Sequence, residues 1–408
     1  MRSTPPPAWE INPDDQRLAL HGARGLLGDH LQRLRNLHAH GNTKLHVDQL
    51  FLGLLLAFFN PMARSLRLIE DCGDFGGRLD LNRLARSTTS DALAAFDPRH
   101  LLPLIQDLRD RCPGLDHVDV DLAGITRRII AADGTYLTTL VDVAWALHQR
   151  KRDGRRGGRV RANLQMDVAN WTPQVISVSG DDGESEPAAF AKDLLSGVLY
   201  VVDRNFLDFS AFIVPLLDKG NDLVLRLRAN APAVRVIEQL PLTAADIEAG
   251  VIADERVELT GRDAPAGTFR RVTIITTNRN GKTETIRLLT NLIDAKTVAA
   301  HVIGAVYRLR WQIELFFKWF KCFARLDHLL STSRRGITTQ LYIAVIAVLM
   351  MHLQSGRRVS IYALAALSRV ASGQLTLQQA LAVIAKRERE RQTARDRQAR
   401  RRARKKLA

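Results

Sequence analysis

Apolar residues recur at helical spacing across residues 14–112, punctuated at Asp97-Pro98 and Cys112-Pro113, where proline lacks the amide that continues a helix. Inside this stretch Leu79 to Leu93 reads as a helix, a polar turn and a second helix capped near Ser87. That suits a helix-turn-helix and an ordinary helical pair about equally. From 126 the pattern shortens into β-prone runs: Thr126–Ala132, Tyr136–Leu147, Val160–Val168 and Val175–Ser179. A helical stretch at Pro187–Leu195 leads into Val198–Val202, a buried-strand pattern that ends at Asp203. Residues 207–219 look helical, and strands return over 222–291 at Leu223–Leu227, Arg256–Leu259, Phe269–Thr277 and Thr285–Leu289. From Ala295 onward the chain is helical again. The order is helical, mixed α/β, mostly β, then helical.

The longest apolar runs, Leu50–Phe59 and Leu341–Met351, are too short to span a bilayer, and the first residues lack the apolar core of a signal peptide. Cys72, Cys112 and Cys322 have no paired spacing, so neither a disulfide framework nor a zinc knuckle is readable. These features predict a soluble protein of the reducing cytoplasm.

Charge narrows the partners. The net charge is +16, an excess that favours polyanions such as nucleic acid. Residues 386–408 hold twelve Lys/Arg against three acids, a local +9 that is more than half of the total. A second cluster runs from Arg150 to Arg161, with seven basic residues against Asp153. Each is read either as a polyanion contact or as a solvated tail or loop.

The segment from Tyr307 to Lys321 carries the most chemistry. At about 100° per residue, Arg310, Glu314 and Lys321 fall within about 60° of Tyr307, and Leu309, Ile313, Phe316 and Phe320 gather on the opposite side. A helix packed through its apolar face thus presents a phenol, a guanidinium, a carboxylate and an ammonium. An ordinary solvated stripe, with Glu314 and Lys318 as an i,i+4 pair, explains the same pattern. Two further acids end strands: Asp133 after Arg128–Ala132, and Asp203 after Leu199–Val202. Asp133-Gly134 also suits a hairpin turn, and Asp203 also suits the cap of a helix beginning near Phe206.

Together these residues resemble the DDE transposases of bacterial insertion sequences, in the branch named for insertion sequence four. That branch carries the signature Tyr-x2-Arg-x3-Glu-x6-Lys, here Tyr307, Arg310, Glu314 and Lys321 with every spacing kept. Its first acid lies in Asp-Gly-Ser/Thr, here Asp133-Gly134-Thr135, and its second in a strand that here reads Tyr200-Val-Val-Asp203-Arg-Asn-Phe206. The resemblance spans about residues 45–355.

It implies an α/β fold in which an RNase H-like catalytic core is interrupted by a mostly β insertion and flanked by helical N- and C-terminal regions. The expected boundaries are 1–112 for a helical DNA-binding region, 113–220 for the first part of the core and 221–291 for the insertion. The core resumes over 292–330 with the Glu314 helix, and 331–408 form a helical region ending in the basic tail. Asp133, Asp203 and Glu314 are the implied catalytic residues and ligands of two Mg²⁺ ions, with Mn²⁺ able to substitute. Tyr307, Arg310 and Lys321 are the implied DNA contacts. The implied partners are double-stranded DNA, namely terminal inverted repeats and target DNA, and a second copy of the chain in a homodimer on DNA. No membrane is implied, and the implied location is the bacterial cytoplasm, at the nucleoid.

Trp311 and Trp319 lie outside the apolar stripe and are expected to pack beneath neighbouring elements, with stacking on DNA as the alternative. Related enzymes that pass through a DNA hairpin hold a flipped base on aromatic side chains, one of them from the insertion. Phe269 is the one aromatic residue between 215 and 306, so either it takes that role or the hairpin route is weak or absent.

Overall fold

The β-prone runs beyond 126 assemble into one large sheet, and the helical stretches before and after it gather separately. The computed structural model describes residues 18–38, 45–59, 65–71, 84–112, 122–139, 143, 145–150, 156–180, 183–228, 234–277, 283–324, 329–355, 361–371 and 374–407. They fall into two compact units, residues 112–318 and residues 1–111 with 319–408.

In chain order the first elements are α1 (Leu18–Arg35), α2 (Val47–Phe59), α3 (Leu66–Asp71), α4 (Arg86–Ala95) and α5 (Leu102–Arg111). Next come β1 (Ile129–Thr139), β2 (Leu147–Arg150), β3 (Arg156–Asp167), β4 (Thr172–Ser179), α6 (Glu186–Ala191) and β5 (Leu199–Val202). A 3-10 turn (Arg204–Phe206), a π-helical turn (Phe209–Ile213), α7 (Val214–Asp218) and β6 (Asp222–Arg226) follow. Then β7 (Val234–Gln239), α8 (Ala244–Glu248), β8 (Val251–Leu259), β9 (Thr268–Thr277) and β10 (Thr283–Thr290) complete the sheet. The last helices are α9 (Ala300–Leu309), α10 (Trp311–Ala324), α11 (Arg334–Ser355), α12 (Ile361–Ala371) and α13 (Leu377–Leu407).

The sheet has the order β2-β3-β1-β5-β6-β10-β9-β8-β7, with β4 also paired to β3. Strands β3 and β1 are antiparallel, whereas β1, β5 and β6 run parallel. The β-rich block after β6 does not form a sheet of its own, because β10 pairs antiparallel with β6 and extends the same sheet. Ile130, Ala132, Tyr200, Val202, Leu223 and Leu225 face one core cluster with Phe190, Phe206, Phe212 and Leu216. The alternate residues Ala131, Leu199, Val201 and Val224 are equally buried, and α9 packs on β5, β6, β8 and β9. Burial on both faces is why β5 reads as an unbroken apolar run. Gly304 allows the close approach of α9, since a Cβ there would stand 2.6 Å from Ile274 Cδ1.

Phe269 is 3% exposed and belongs to the same core cluster, so it is a core residue and offers no surface for a flipped base. Beside it in β9, fully buried Arg270 makes a two-pronged ion pair with Asp254 of β8, at 2.7 and 2.6 Å, and donates to the Val298 carbonyl at 2.6 Å. This clamp ties the outer strands to the approach of α9.

In the helical unit, Ile337, Leu341, Val345 and Val348 of α11 are fully buried, and the helix packs on α2, α4 and α5. Its segment Arg334–Leu353 is long and apolar enough to cross a membrane, more than the Leu341–Met351 run suggests, but 78% of that window is buried inside the protein, as in a core helix. One further correction applies here. Ala85, not a polar residue near Ser87, stands at the N-cap of α4 with no side-chain bond, and the first half of the expected helix pair lies outside the described residues. The basic end continues α13 as helix to Leu407, in line with the helical reading beyond Ala295.

Candidate active site

Strands β1 and β5 align Ile129 with Leu199, Ile130 with Tyr200 and Ala131 with Val201. Carrying that register two residues further sets Asp133 beside Asp203, on one face of neighbouring strands roughly 4.8 Å apart. Asp133 is no hairpin residue: it pairs with Leu164 of β3, and β1 continues to Thr139. Asp203 ends β5 and does cap the following 3-10 turn, its Oδ1 accepting from the Asn205 amide at 2.7 Å. Capping occupies one carboxylate oxygen. Asp203 thus follows a strand and caps a turn at once.

The glutamate arrives on a separate helix. The single helix expected over 307–321 is broken at Arg310, which caps α9 just before α10 begins. Ile313, Phe316 and Phe320 form the buried stripe of α10 as expected. Phe316 meets Trp171 edge-to-face at 5.1 Å, with Trp171 held at φ 54° in the turn between β3 and β4. That contact fixes the start of α10 against the sheet and leaves Glu314 on its other side.

Arg310 joins the parts. Its Nη2 donates to Glu314 Oε1, its Nη1 lies 3.6 Å from Asp133 Oδ2, and its guanidinium stands 5.8 Å from the Tyr307 ring centre. Burial alone would lower its pKa, but Tyr307, Glu314 and Asp133 outweigh burial and raise it above the ordinary value. The Arg310 Nε is buried with no hydrogen-bond partner among the described residues. Trp311 is 54% exposed, so the expectation that it packs beneath a neighbour is corrected: it stands on the solvent side of the helix start. Lys321 is exposed further along α10, in the part of that helix belonging to the helical unit. Asp133, Asp203, Glu314, Arg310 and Tyr307 are thus gathered in the sheet unit.

A residue without any sequence signal joins them. Glu186, in the first turn of α6, places Oε1 2.2 Å from where a Cβ on Gly134 would sit. An acid in a first helical turn reads as a partner of the helix dipole, so only the fold reveals its neighbours. Burial pushes Asp133 up from 3.8 to about 7, with Asp203 and Glu186 adding to the rise while Arg310 and the Gly134 amide oppose it. Burial likewise raises Glu186, and Asp203 adds to it against Arg161 and the same amide.

Among the described residues no three His, Cys, Asp or Glu stand ready-made around one point. Carboxylate oxygens are nonetheless the donors a hard divalent cation takes, and at Asp133 burial, more than the neighbouring acids, raises the pKa against the pull of Arg310. In this arrangement Arg310 supplies the neighbouring positive charge and holds Glu314.

Over 97 residues the chain is 32% identical to a protein of Geobacillus stearothermophilus named as a transposase for an insertion sequence element, covering 22% of this chain and 25% of that protein. Over 241 residues it is 24% identical to a protein of Sinorhizobium fredii named as a transposase, covering 57% of this chain and 65% of that one. The matches therefore span a quarter and just under two thirds of those relatives. A cryo-EM structure of the piggyBac transposase synaptic complex with hairpin DNA aligns over 92% of this chain and 79% of its own, at TM-score 0.42 and 11% identity. The family model described as Transposase DDE domain matches residues 124–350, more than half of the 408, and the chain belongs to that family, the DDE transposases.

Proposed function

We propose that this protein cuts DNA at the ends of an insertion sequence and joins them to target DNA, as a member of the branch named for insertion sequence four. The observation that carries this reading is the register that sets Asp133 beside Asp203, with Glu314 reached through Arg310. Tyr307, Arg310, Glu314 and Lys321 are then the signature of the branch. The antiparallel β3-β1 pair followed by parallel β5 supports an RNase H-like core over 113–220 and 292–330, with 221–291 as the insertion. Residues 1–112 and 331–408 are assigned to the flanking helical regions, the first of them binding DNA.

Two Mg²⁺ ions, when bound, activate the attacking oxygen and neutralise the leaving one. Asp133, Asp203 and Glu314 are the residues that would hold them, and Mn²⁺ would fit the same oxygen donors. In the first step a water oxygen forms a new bond to phosphorus as a bridging P–O bond breaks, freeing a 3′-OH at the element end. In the second, that 3′-OH forms the new P–O bond in target DNA as the target strand breaks. Each step forms one P–O bond as another breaks, the attacking hydroxyl's proton ending on the leaving 3′ oxygen, so no covalent protein intermediate is needed. Arg310 is assigned to grip a phosphate, where a planar guanidinium fits better than a point charge. Tyr307 donates to another phosphate, and Lys321 reaches the backbone or terminal bases. Work on paired terminal repeats suits a homodimer on double-stranded DNA, in the bacterial cytoplasm at the nucleoid.

The test is Mg²⁺-dependent cleavage of a labelled duplex carrying an element end. Asp133→Ala, Asp203→Ala and Glu314→Ala should each lower cutting by more than about 100-fold while end binding persists, because they remove metal ligands and leave phosphate contacts. Arg310→Ala should lower both binding and cutting. Near-normal cutting by any of the three acid variants removes that residue from the assignment.

A further inference from the structure

We propose that the outer part of the β1–β3 pair is a DNA contact beside the cut site, in which Arg159, held over the Tyr136 ring, takes a phosphate of the duplex. The inference rests on the DNA-cutting reading above and deepens it, placing a contact on a face that the catalytic residues do not use.

The first observation is where these strands stand. β1 pairs with β5 only from Ile129 to Ala131, and β5 ends at Val202, but β1 runs on to Thr139 paired with β3. From Gly134 to Thr139 the pair therefore projects beyond Asp133 by about 20 Å, at roughly 3.4 Å per residue. Its two faces differ. Thr135, Leu137 and Thr139 are buried, whereas Thr138 is exposed and Tyr136 is 41% exposed. Strand alternation turns Tyr136 to the side opposite Asp133, so this open face meets DNA that flanks the cut.

The second observation is how the cation on that face is partnered. The register sets Arg161 opposite Tyr136 and Arg159 opposite Thr138. Arg161 is committed within the protein, its Nε donating to Asn163 Oδ1 at 2.9 Å and its Nη2 directed to the Ser185 carbonyl at 3.5 Å. Arg159 instead places its guanidinium carbon 4.1 Å from the centre of the Tyr136 ring. Arg226, Arg235, Arg256 and Arg271, on other strands of the sheet, each pair with a glutamate. Among the described residues the Arg159 guanidinium has neither a carboxylate nor a hydrogen bond. Its Nε is buried, which leaves Nη1 and Nη2 as the accessible donors.

These features select a polyanion. An aromatic ring attracts and orders a guanidinium without neutralising it, so the Nη donors keep their positive charge for an incoming phosphate. The hydroxyls of Tyr136 and Thr138 share that face and are donors for neighbouring phosphates. A two-stranded ribbon is also of a size that the DNA major groove admits. Arg159 lies in the segment Arg150–Arg161, which carries seven basic residues against Asp153, so the surrounding charge favours the same partner.

The experiment measures binding of the full-length protein to a fluorescent duplex carrying an element end, by anisotropy across a salt series. Arg159→Ala should weaken binding about 10-fold, the size expected for one hydrogen bond to a charged group. It should also lower the slope of log K against log salt by about 0.9. Arg159→Lys should keep the slope while losing part of the affinity. Tyr136→Ala should weaken binding with the slope nearly kept, and Tyr136→Phe, which retains the ring, should recover most of that loss. A duplex of unrelated sequence should show the same losses, because phosphate contacts carry no sequence information. Unchanged affinity and slope in Arg159→Ala, or a loss confined to the end-bearing duplex, would overturn the proposal. Equal losses in Arg159→Ala and Arg159→Lys with an unchanged slope would overturn it too, leaving Arg159 a packing role. Normal binding by Arg159→Ala beside weakened binding by Arg310→Ala removes this contact alone; wild-type protein that neither binds nor cuts the duplex removes the reading on which it rests.

Discussion

Replacing Asp133 with Asn should stabilise the metal-free protein at neutral and alkaline pH while abolishing cleavage. The Asp133 side chain is 21% exposed, and burial with two acidic neighbours raises its pKa from 3.8 to about 7. A folded-state pKa above the unfolded one means that the folded chain binds the proton more tightly. The stability this contributes is complete below about pH 4 and is lost as pH rises through about 7. At 1.36 kcal/mol per pH unit, the difference corresponds to about 4 kcal/mol of stability lost by pH 8. Partial exposure and the movement of Arg310 reduce this toward about 2 kcal/mol, still a sizeable share of a typical total stability. Asn carries no charge and keeps an oxygen acceptor for the Gly134 amide, so it escapes this loss. It also gives up the Arg310 contact at 3.6 Å, a long ion pair of small value. Urea unfolding with a chelator present, at pH 4 and pH 8 and fixed salt, measures the effect. The wild type should weaken across this range, and Asp133→Asn should be the more stable protein at pH 8. Parallel pH dependence in the two proteins, or a less stable variant at pH 8, would refute the reading that a buried charge at Asp133 strains the fold.

Two further outcomes test the fold and the basic helix. Asp254→Asn leaves the fully buried Arg270 without its counter-charge and should cost about 3–5 kcal/mol in urea unfolding, whereas pairing Asp254→Leu with Arg270→Met should recover much of that loss. A wild-type midpoint in Asp254→Asn would show that the clamp contributes little. Removing residues 386–408 should weaken binding to all DNA sequences alike and flatten the plot of log K against log salt. The change should be less than about 0.9 for each of its twelve cations, because a helix turns only part of its circumference to a duplex. An unchanged slope would mean that α13 does not touch DNA.

What was legible in the sequence followed from local rules. Helical spacing over 14–112, the strand runs of the sheet unit and the apolar stripe Ile313, Phe316 and Phe320 each depend on a periodicity that one element carries by itself. The contact of Tyr307, Arg310 and Glu314 was legible as one polar stripe for the same reason, being spaced along adjoining turns. Features that depend on the meeting of distant segments were not legible. Asp133-Gly134 has the composition of a turn, yet lies inside β1 because β3 and β5 pair on either side of it. Phe269 was open to a role in DNA contact until the packing of β9 placed it in the core, and Trp311, expected beneath a neighbour, is exposed. Glu186 shows the limit most clearly: local sequence makes it the first-turn acid of a six-residue helix, and only the tertiary fold brings it to Gly134, where the absence of a Cβ makes room for its carboxylate. Charge and size act through space, so which groups share a site is decided by the pairing of strands far apart in the chain.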